Sequence, residues 1–457
     1  MSTEAAPATP VQQLASTFSG RVIEPTHDAY DTVRRVHNGL IDKRPALIAE
    51  CRGVADVVDA VKYARAHHLE IAVRGGGHNV GGRATVDKGL MIDLAQMRGV
   101  LVDAKTRTAR AEGGTTWKIF NRETQVHGLA TTGGVVGSTG IGGLTLGGGF
   151  GWLMPKYAMA LDNLRSVDLV LATGDVVRAS AESHPDLFWA VRGGGGNFGI
   201  ATSLEYMLHP VGPMVHGGLV AWPFAMARDV AHLFRDITAT INDDVMIVCA
   251  LLTAPDGQTK LAGIGLGHFG SESDAMKVMA PIKSFKTPVL DAMGPIPYVA
   301  LNGLLDAAFP AGARNYWKSA FVTDLTDAAI DAAIDRYARC PTPMGQIVME
   351  RFHGAATRVP VSATAYAMRG AGFNVAIVSE WLDRTQDDSC MTWAKDTYRA
   401  IQPHAGKVRY MNYMGHDEAV DEALAAAYGP NLPRLREVKK KYDPENVFHL
   451  NVNIPPA

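Results

Sequence analysis

Glycine marks the places where this chain could press its backbone against a ligand. Of 457 residues, 47 are glycine, roughly a tenth against the usual ~7%. They gather in three runs, 75–82, 133–151 and 193–199. Without a Cβ, the main chain can approach a ligand closely, and successive N–H groups form a nest for phosphate. Any one run alone would read as tight turns; three together predict loops wrapped around a phosphate-bearing cofactor. His78 closes the first run, Arg74-Gly75-Gly76-Gly77-His78-Asn79, which places a nucleophilic imidazole at that ligand. His67, His68 and His184 read as surface or structural.

These runs do not form a nicotinamide-binding Rossmann fingerprint, which needs a strand, a glycine turn and a helix in immediate succession. Residues 78–82 read as loop, and Pro155 follows the second run too closely for a long helix to begin. The elements that must hold the loops are nonetheless visible. Residues 46–51 read as a strand, 54–67 carry valines at the helical period, and 69–73 alternate as a strand that feeds the first glycine run. A hairpin is expected over 100–111, a helix over 115–127, a second hairpin around Thr173-Gly174-Asp175, and a helix from Pro185 to 192.

Near residue 211 the glycine runs stop, and longer strands such as 246–252 alternate with helices such as 325–339, capped by Thr326. The organisation read from the chain is a tail over 1–20, a cofactor domain over 21–210, a substrate domain over 211–407, and a segment over 408–457 that completes the cofactor domain. A net charge of -2 and a pI near 6.7 give no footprint for nucleic acid or anionic membrane. No apolar run reaches the ~18 residues of a membrane span, and the N-terminus lacks a secretory signal pattern, so a cytoplasmic protein is expected. Cys51, Cys249, Cys340 and Cys390 lie far apart, with no metal-binding spacing; no metal site is expected. Lys439-Lys440-Lys441 reads as a solvated helix end.

Val73-Arg74-Gly75-Gly76-Gly77-His78-Asn79 resembles the flavin motif of the berberine-bridge-enzyme-like group, within the vanillyl-alcohol-oxidase superfamily of FAD-linked oxidases. The resemblance covers most of the chain. It includes Gly82 in the first loop, and Gly137, Thr139, Gly140, Gly142, Gly143 and Gly147-Gly148-Gly149 in the second. Gly196-Asn197-Phe198-Gly199-Ile200 is similar to the segment beside the adenine, and Asn451-Val452-Asn453-Ile454 to the C-terminal signature. It implies an α+β fold, with a two-part FAD domain of the PCMH type and a substrate domain of antiparallel sheet covered by helices. It also implies that Arg74 to Asn79 and the loop residues above bind FAD, and that His78 bonds covalently to the flavin. Relatives often add a cysteinyl link eleven residues before the triple glycine. Val136 stands there, so a single link is expected.

Removing hydride from a carbinol or amine carbon requires a base near the flavin. Tyr413, in Tyr410-Met411-Asn412-Tyr413, matches the family segment that carries a tyrosine over the ring. A tyrosine of pKa ~10 would need neighbouring cations or hydrogen bonds to lower it. Alternation over 349–353 puts Met349, Arg351 and His353 on one face and Glu350 and Phe352 on the other. The resemblance favours Arg351 and His353 as further catalytic candidates, while a salt-bridge role for Arg351 fits equally well. Tyr316 and Trp317 read as pocket-lining or core. The function implied is an FAD oxidase of a small-molecule alcohol or amine, with O2 as acceptor. The alternatives are a flavin dehydrogenase (Thr139 replaces the usual valine or leucine), a carbohydrate oxidase, and a flavin-binding protein without turnover. The sequence leaves oligomeric state open.

Overall fold

The first glycine run hangs from a small parallel unit. In the computed structural model, which describes residues 10–415, 417 and 420–457, Leu47–Glu50 leads through the helix Val54–Ala66 to Ile71–Arg74. Leu90–Asp93 lies between those strands, parallel to both, and Arg21–Ile23 pairs antiparallel on the outer edge. Leu47–Glu50 and Leu90–Asp93 are buried along their length, as expected of parallel strands covered on both faces. Val57, Val61 and Ala64 recur at the helical period and are fully buried against them.

A second, antiparallel sheet runs in the order Val100–Asp103, Thr108–Glu112, Ile200–Met207, Leu164–Val170, Val176–Ser180. Its core takes in Trp117 and Phe120 from the helix Trp117–Gln125 and Leu187 and Phe188 from Pro185–Val191. The chain's end returns to this core, contributing Leu435, Val438, Val452 and Ile454. Lys439 departs from the solvated helix end read in the sequence. It is fully buried, and its Nζ donates to Asn197 O (2.7 Å), Phe448 O (2.9 Å) and Asp443 Oδ2 (2.6 Å). Three acceptors compensate the desolvation that a lone ammonium would suffer.

The third sheet has eight antiparallel strands, all between Met214 and Trp381. Its central strands have two buried faces. Ile247, Cys249, Leu251, Ile347, Met349, Val375 and Ile377 pack on the helices Ala227–Thr238, Asp327–Ala338 and Asp387–Ile401. Thr326 caps the second of these, its Oγ1 accepting from Ala329 N–H at 3.2 Å. The opposite face turns Met246 and Phe352 toward Phe150, Trp152 and Tyr410 from the rest of the chain. Period-two alternation therefore decides which side chains can meet a ligand between the two bodies. Among the described residues, no helix is long and apolar enough to cross a membrane.

Glu380, fully buried on this sheet, faces Asn315 across the pair. Burial pushes its carboxyl from 4.5 up to about 8, and Asn315 offsets only part of the rise. The unfolded chain releases this proton near 4.5 while the folded chain keeps it, so stability falls as pH rises from about 4.5 to about 8. Glu380→Gln is expected to melt above the wild type at the top of this range and with it at the bottom. Thermal scans across the range test this; a constant gap contradicts it.

Candidate functional site

Two loops meet backbone to backbone. A Cβ on Gly76 would stand 2.2 Å from Gly140 N, and one on Gly140 would stand 2.3 Å from Gly76 N. No other residue fits this crossing. The contact brings Ser138 and Thr139 onto His78. His78 Nε2 lies 2.8 Å from Ser138 Oγ, and Nδ1 lies 3.4 Å from Thr139 Oγ1. His37 stacks on the His78 ring with centroids 3.8 Å apart and planes 20° apart. Burial, then the nearby His37, lowers the His78 pKa to about 3, so the imidazole is neutral. Ser138 and His37 were not legible as partners in the sequence, because their contact with His78 exists only where the loops cross.

The loops fit a flavin dinucleotide on a property of their own. A Cβ on Gly143 would meet nothing within 4 Å, and one on Gly142 only Gly113 O at 3.5 Å. Neither residue has the positive φ that would require glycine, so their bareness leaves open space beside main-chain N–H groups at the start of the helix Ile141–Leu146. Gly75 likewise has only Gly113 O nearby, at 3.0 Å. Asn453 adds a buried Oδ1 with no partner among the described residues.

Several residues expected to touch the cofactor are engaged elsewhere. Arg74 forks onto the fully buried Asp93 and donates to Val33 O and Arg35 O, so its side chain braces the strand end. Asn79 Oδ1 accepts from Arg83 N–H, and Gly82 makes room for Ile41. Asn197 Nδ2 donates to Gly194 O and Val452 O, tying the third glycine run to the C-terminal segment. Asn451 Nδ2 packs on Gly196, Gly199 clears Val170 O, and the Ile200 side chain lies in the core. In these residues, only main-chain groups could face a cofactor.

The triple glycine has a second duty. A Cβ on Gly147 would stand 2.1 Å from Asn412 Oδ1, and one on Gly148 would stand 3.0 Å from the rings of Tyr366 and Tyr410. These glycines seat the segment carrying Tyr413. Tyr410 OH accepts from Gly149 and Phe150 N–H, its ring stacks on Phe150 at 4.0 Å, and Asn412 donates to Leu144 O. Tyr410 is thus a packing residue.

Tyr413 meets an unexpected partner. Its phenol lies within electrostatic reach of the Glu350 carboxyl, which accepts from Asn374 Nδ2 at 2.5 Å. Burial and the adjacent Glu350 and Tyr410 raise the Tyr413 pKa well above 10, the reverse of the lowering expected from sequence. Burial also raises the Glu350 carboxyl, from 4.5 to about 7, against the hydrogen bond of Asn374 and the neighbouring Tyr413 phenol. A carboxyl poised near neutrality can take a proton from the neighbouring phenol.

The face chosen from sequence on strand Gln346–Phe352 is therefore corrected. Arg351 lies over the Phe373 ring on the helix side and donates to Gly372 O; His353 approaches Asn242 O at 3.4 Å. Neither joins Tyr413. Tyr316 and Trp317 also part: Tyr316 enters the helix-side core, and Trp317 meets Tyr413 edge-on at 5.4 Å. Val136 and Tyr413 both pack on the Phe309, Ala376 and Val378 cluster. Two residues after Val136, Ser138 touches His78. Two residues of chain span at most ~7 Å, so the His78 contact and Tyr413 are tied to one apolar cluster.

A pair of glycine loops that leave open space beside main-chain N–H groups, a neutral histidine between them and a half-buried carboxyl–phenol pair near the same cluster suit a flavin-dependent redox site. A model described as an FAD binding domain matches residues 45–180, and one described as berberine and berberine like matches 409–455. The (R)-6-hydroxynicotine oxidase of Paenarthrobacter nicotinovorans is 31% identical over 450 residues, covering 96% of this chain and 97% of the relative. A FAD-linked oxidoreductase of Dictyostelium discoideum is 29% identical over 98% of this chain and 97% of its own. The crystal structure of 6-hydroxy-D-nicotine oxidase from Arthrobacter nicotinovorans superposes with a TM-score of 0.88 at 28% identity, covering both chains fully. Glucooligosaccharide oxidase from Acremonium strictum, with a 6-S-cysteinyl, 8α-N1-histidyl FAD, shares the fold at a TM-score of 0.86 and 23% identity, over 98% of this chain and 100% of that one.

The chain belongs to the berberine-bridge-like family of FAD-linked oxidoreductases. It is an FAD-dependent enzyme of the α+β fold expected from its motifs.

If Glu350 is the base, flavin reduction at saturating substrate rises with pH through about 7, as the carboxyl ionises, and then levels. Glu350→Gln should lower the rate ~10²–10⁴-fold and remove the rise. Stopped-flow reduction across pH measures both; an unchanged profile reassigns the base.

Proposed function

We propose that the protein is an oxidase of a small-molecule alcohol or amine, with FAD held covalently through His78 alone and O2 as acceptor. The observation that carries this reading is the Tyr413 phenol beside a Glu350 carboxyl that is raised to about 7 and held by Asn374. Bound FAD supplies a two-electron, hydride-accepting ring. The main-chain groups of residues 75–79 and 140–143 would hold it, with His78 at its edge.

Tyr413 presents its hydroxyl to the substrate O–H or N–H. As the hydride leaves carbon, Tyr413 takes the substrate proton and passes its own to Glu350. This relay never requires a free tyrosinate, which the Glu350 charge disfavours. Asn374 holds the carboxylate in line. Trp317, Phe309, Val348 and Val378 form an apolar wall beside Tyr413, which suits an aromatic or alicyclic substrate better than an oligosaccharide, whose many hydroxyls would go unpaired. The relative that oxidises (R)-6-hydroxynicotine supports a heteroaromatic amine within this range.

Tyr413→Phe should slow flavin reduction ~100-fold or more, with flavin content intact. Peroxide release measured against panels of alcohols and amines tests the oxidase reading; reduced flavin stable in air would replace it with a dehydrogenase. Acid precipitation should leave the yellow colour in the pellet, and peptide mass spectrometry should find one flavin peptide, containing His78. A flavin on any cysteine contradicts the single link. His78→Ala should bind FAD reversibly or lose it.

A further inference from the structure

His78 is held on three sides before any ligand is considered. On one ring face lies His37, 3.8 Å away and nearly parallel. The His37 backbone is fixed at both ends, its N–H donating to Gly77 O (3.0 Å) and its carbonyl accepting from Gly312 N–H (2.9 Å). At one ring edge, Ser138 Oγ lies 2.8 Å from Nε2; at the other, Thr139 Oγ1 lies 3.4 Å from Nδ1. A neutral imidazole carries one proton, and the hydrogen bond at one nitrogen selects which one holds it. The shorter contact is at Nε2. A proton there donates to Ser138 and leaves the Nδ1 lone pair bare, approached only by the longer Thr139 hydroxyl contact.

We propose that Ser138 and His37 are positioning residues for flavin attachment: Ser138 fixes the His78 tautomer with Nδ1 as nucleophile and then takes the Nε2 proton, while His37 fixes the plane of the ring. The inference rests on the covalent reading above. The bond formed joins Nδ1 to the carbon of the flavin 8-methyl group, and the bond broken is a C–H of that methyl. The methyl carbon gives one proton to solvent, His78 gives its Nε2 proton to Ser138, which releases its own to solvent, and the reduced ring takes up two protons. The electron pair of the C–H bond stays on the flavin ring, so attachment leaves it reduced by two electrons. Dioxygen then removes two electrons and two protons as hydrogen peroxide, which restores the oxidised ring. After the step, Nε2 holds a lone pair and Ser138 turns from acceptor to donor. The same serine serves both states because a hydroxyl can do either.

The arrangement accounts for the burial of His78 beside a second histidine. Stacking restricts tilting of the ring plane without consuming either nitrogen, so His37 fixes the plane while Ser138 and Thr139 hold the edges. A phenyl ring at 37 would do the same; a methyl would not.

The test reads covalent flavin, not turnover. Wild type, Ser138→Ala, Ser138→Thr, His37→Phe and His37→Ala are incubated with FAD in air, and acid-precipitable flavin is followed against total bound flavin from the visible spectrum. Attachment in Ser138→Ala and in His37→Ala should slow at least tenfold with reversible FAD binding retained. Ser138→Thr, which keeps the hydroxyl, and His37→Phe, which keeps the stack, should attach flavin near the wild-type rate. NMR of the isolated flavin peptide should place the bond on Nδ1. Wild-type attachment rates in Ser138→Ala, or a bond to Nε2, overturn the inference alone. A wild type that releases all its flavin into the acid supernatant overturns the covalent reading, and this inference with it.

Discussion

The main-chain contact between Gly76 and Gly140 is the constraint on which the site depends. Neither loop could take its course if either residue carried a Cβ, since the added atom would fall 2.2–2.3 Å from the other's nitrogen. The crossing fixes Ser138 against His78, and it fixes where Val136 enters the apolar cluster beside Tyr413. His78 and Tyr413 are thus registered to each other through three residues of one loop. Such short-range registration suits a reaction in which an error of about an ångström is costly.

The second requirement is a sheet with two working faces. Its helix-side core holds it rigid, and the opposite face carries Glu350 and Asn374 in a setting dry enough to raise a carboxyl to about 7. A solvated glutamate would stay a weak base near its ordinary value. The Tyr413 segment is clamped from the other side, through Tyr410 on Gly149 and Phe150 and Asn412 on Leu144. The phenol and carboxyl come from different bodies of the chain, and the cleft between them can be shaped by either without disturbing the other's core.

Much of this was legible in the sequence, for identifiable reasons. The hairpin at Thr173-Gly174-Asp175, the Thr326 cap and the strand entering Arg74-Gly75 follow from local rules, and the structure has all three. His78 stood out because glycines flank it. The face of 349–353 was misassigned because alternation sorts residues into two sets without saying which set looks at the cleft; the decision lay in Phe352, which packs on Phe150 and Phe321. Arg74 and Asn197 were placed at the cofactor by the motif resemblance alone. Asp93 and the Val452 carbonyl, the groups that occupy them, are distant in sequence. Lys439 looked solvated in a run of three lysines, and only the return of the C-terminal segment buries it.

That buried lysine has a consequence for how the molecule is made. Lys439 reaches Asn197 O across 242 residues, and Asn197 in turn holds Val452. The third glycine run therefore lacks its support until residues 439–452 have been synthesised. Domains emerging from the ribosome fold from the N-terminus onward, but this first body cannot close in that order. The intervening sheet, with its own helices and core, is available to fold while the first body waits. Closure of so long a loop costs entropy that grows only logarithmically with length, so the delay is kinetic in origin. The third glycine run thus gains its support only after residue 452 has emerged, well after the segments it must hold.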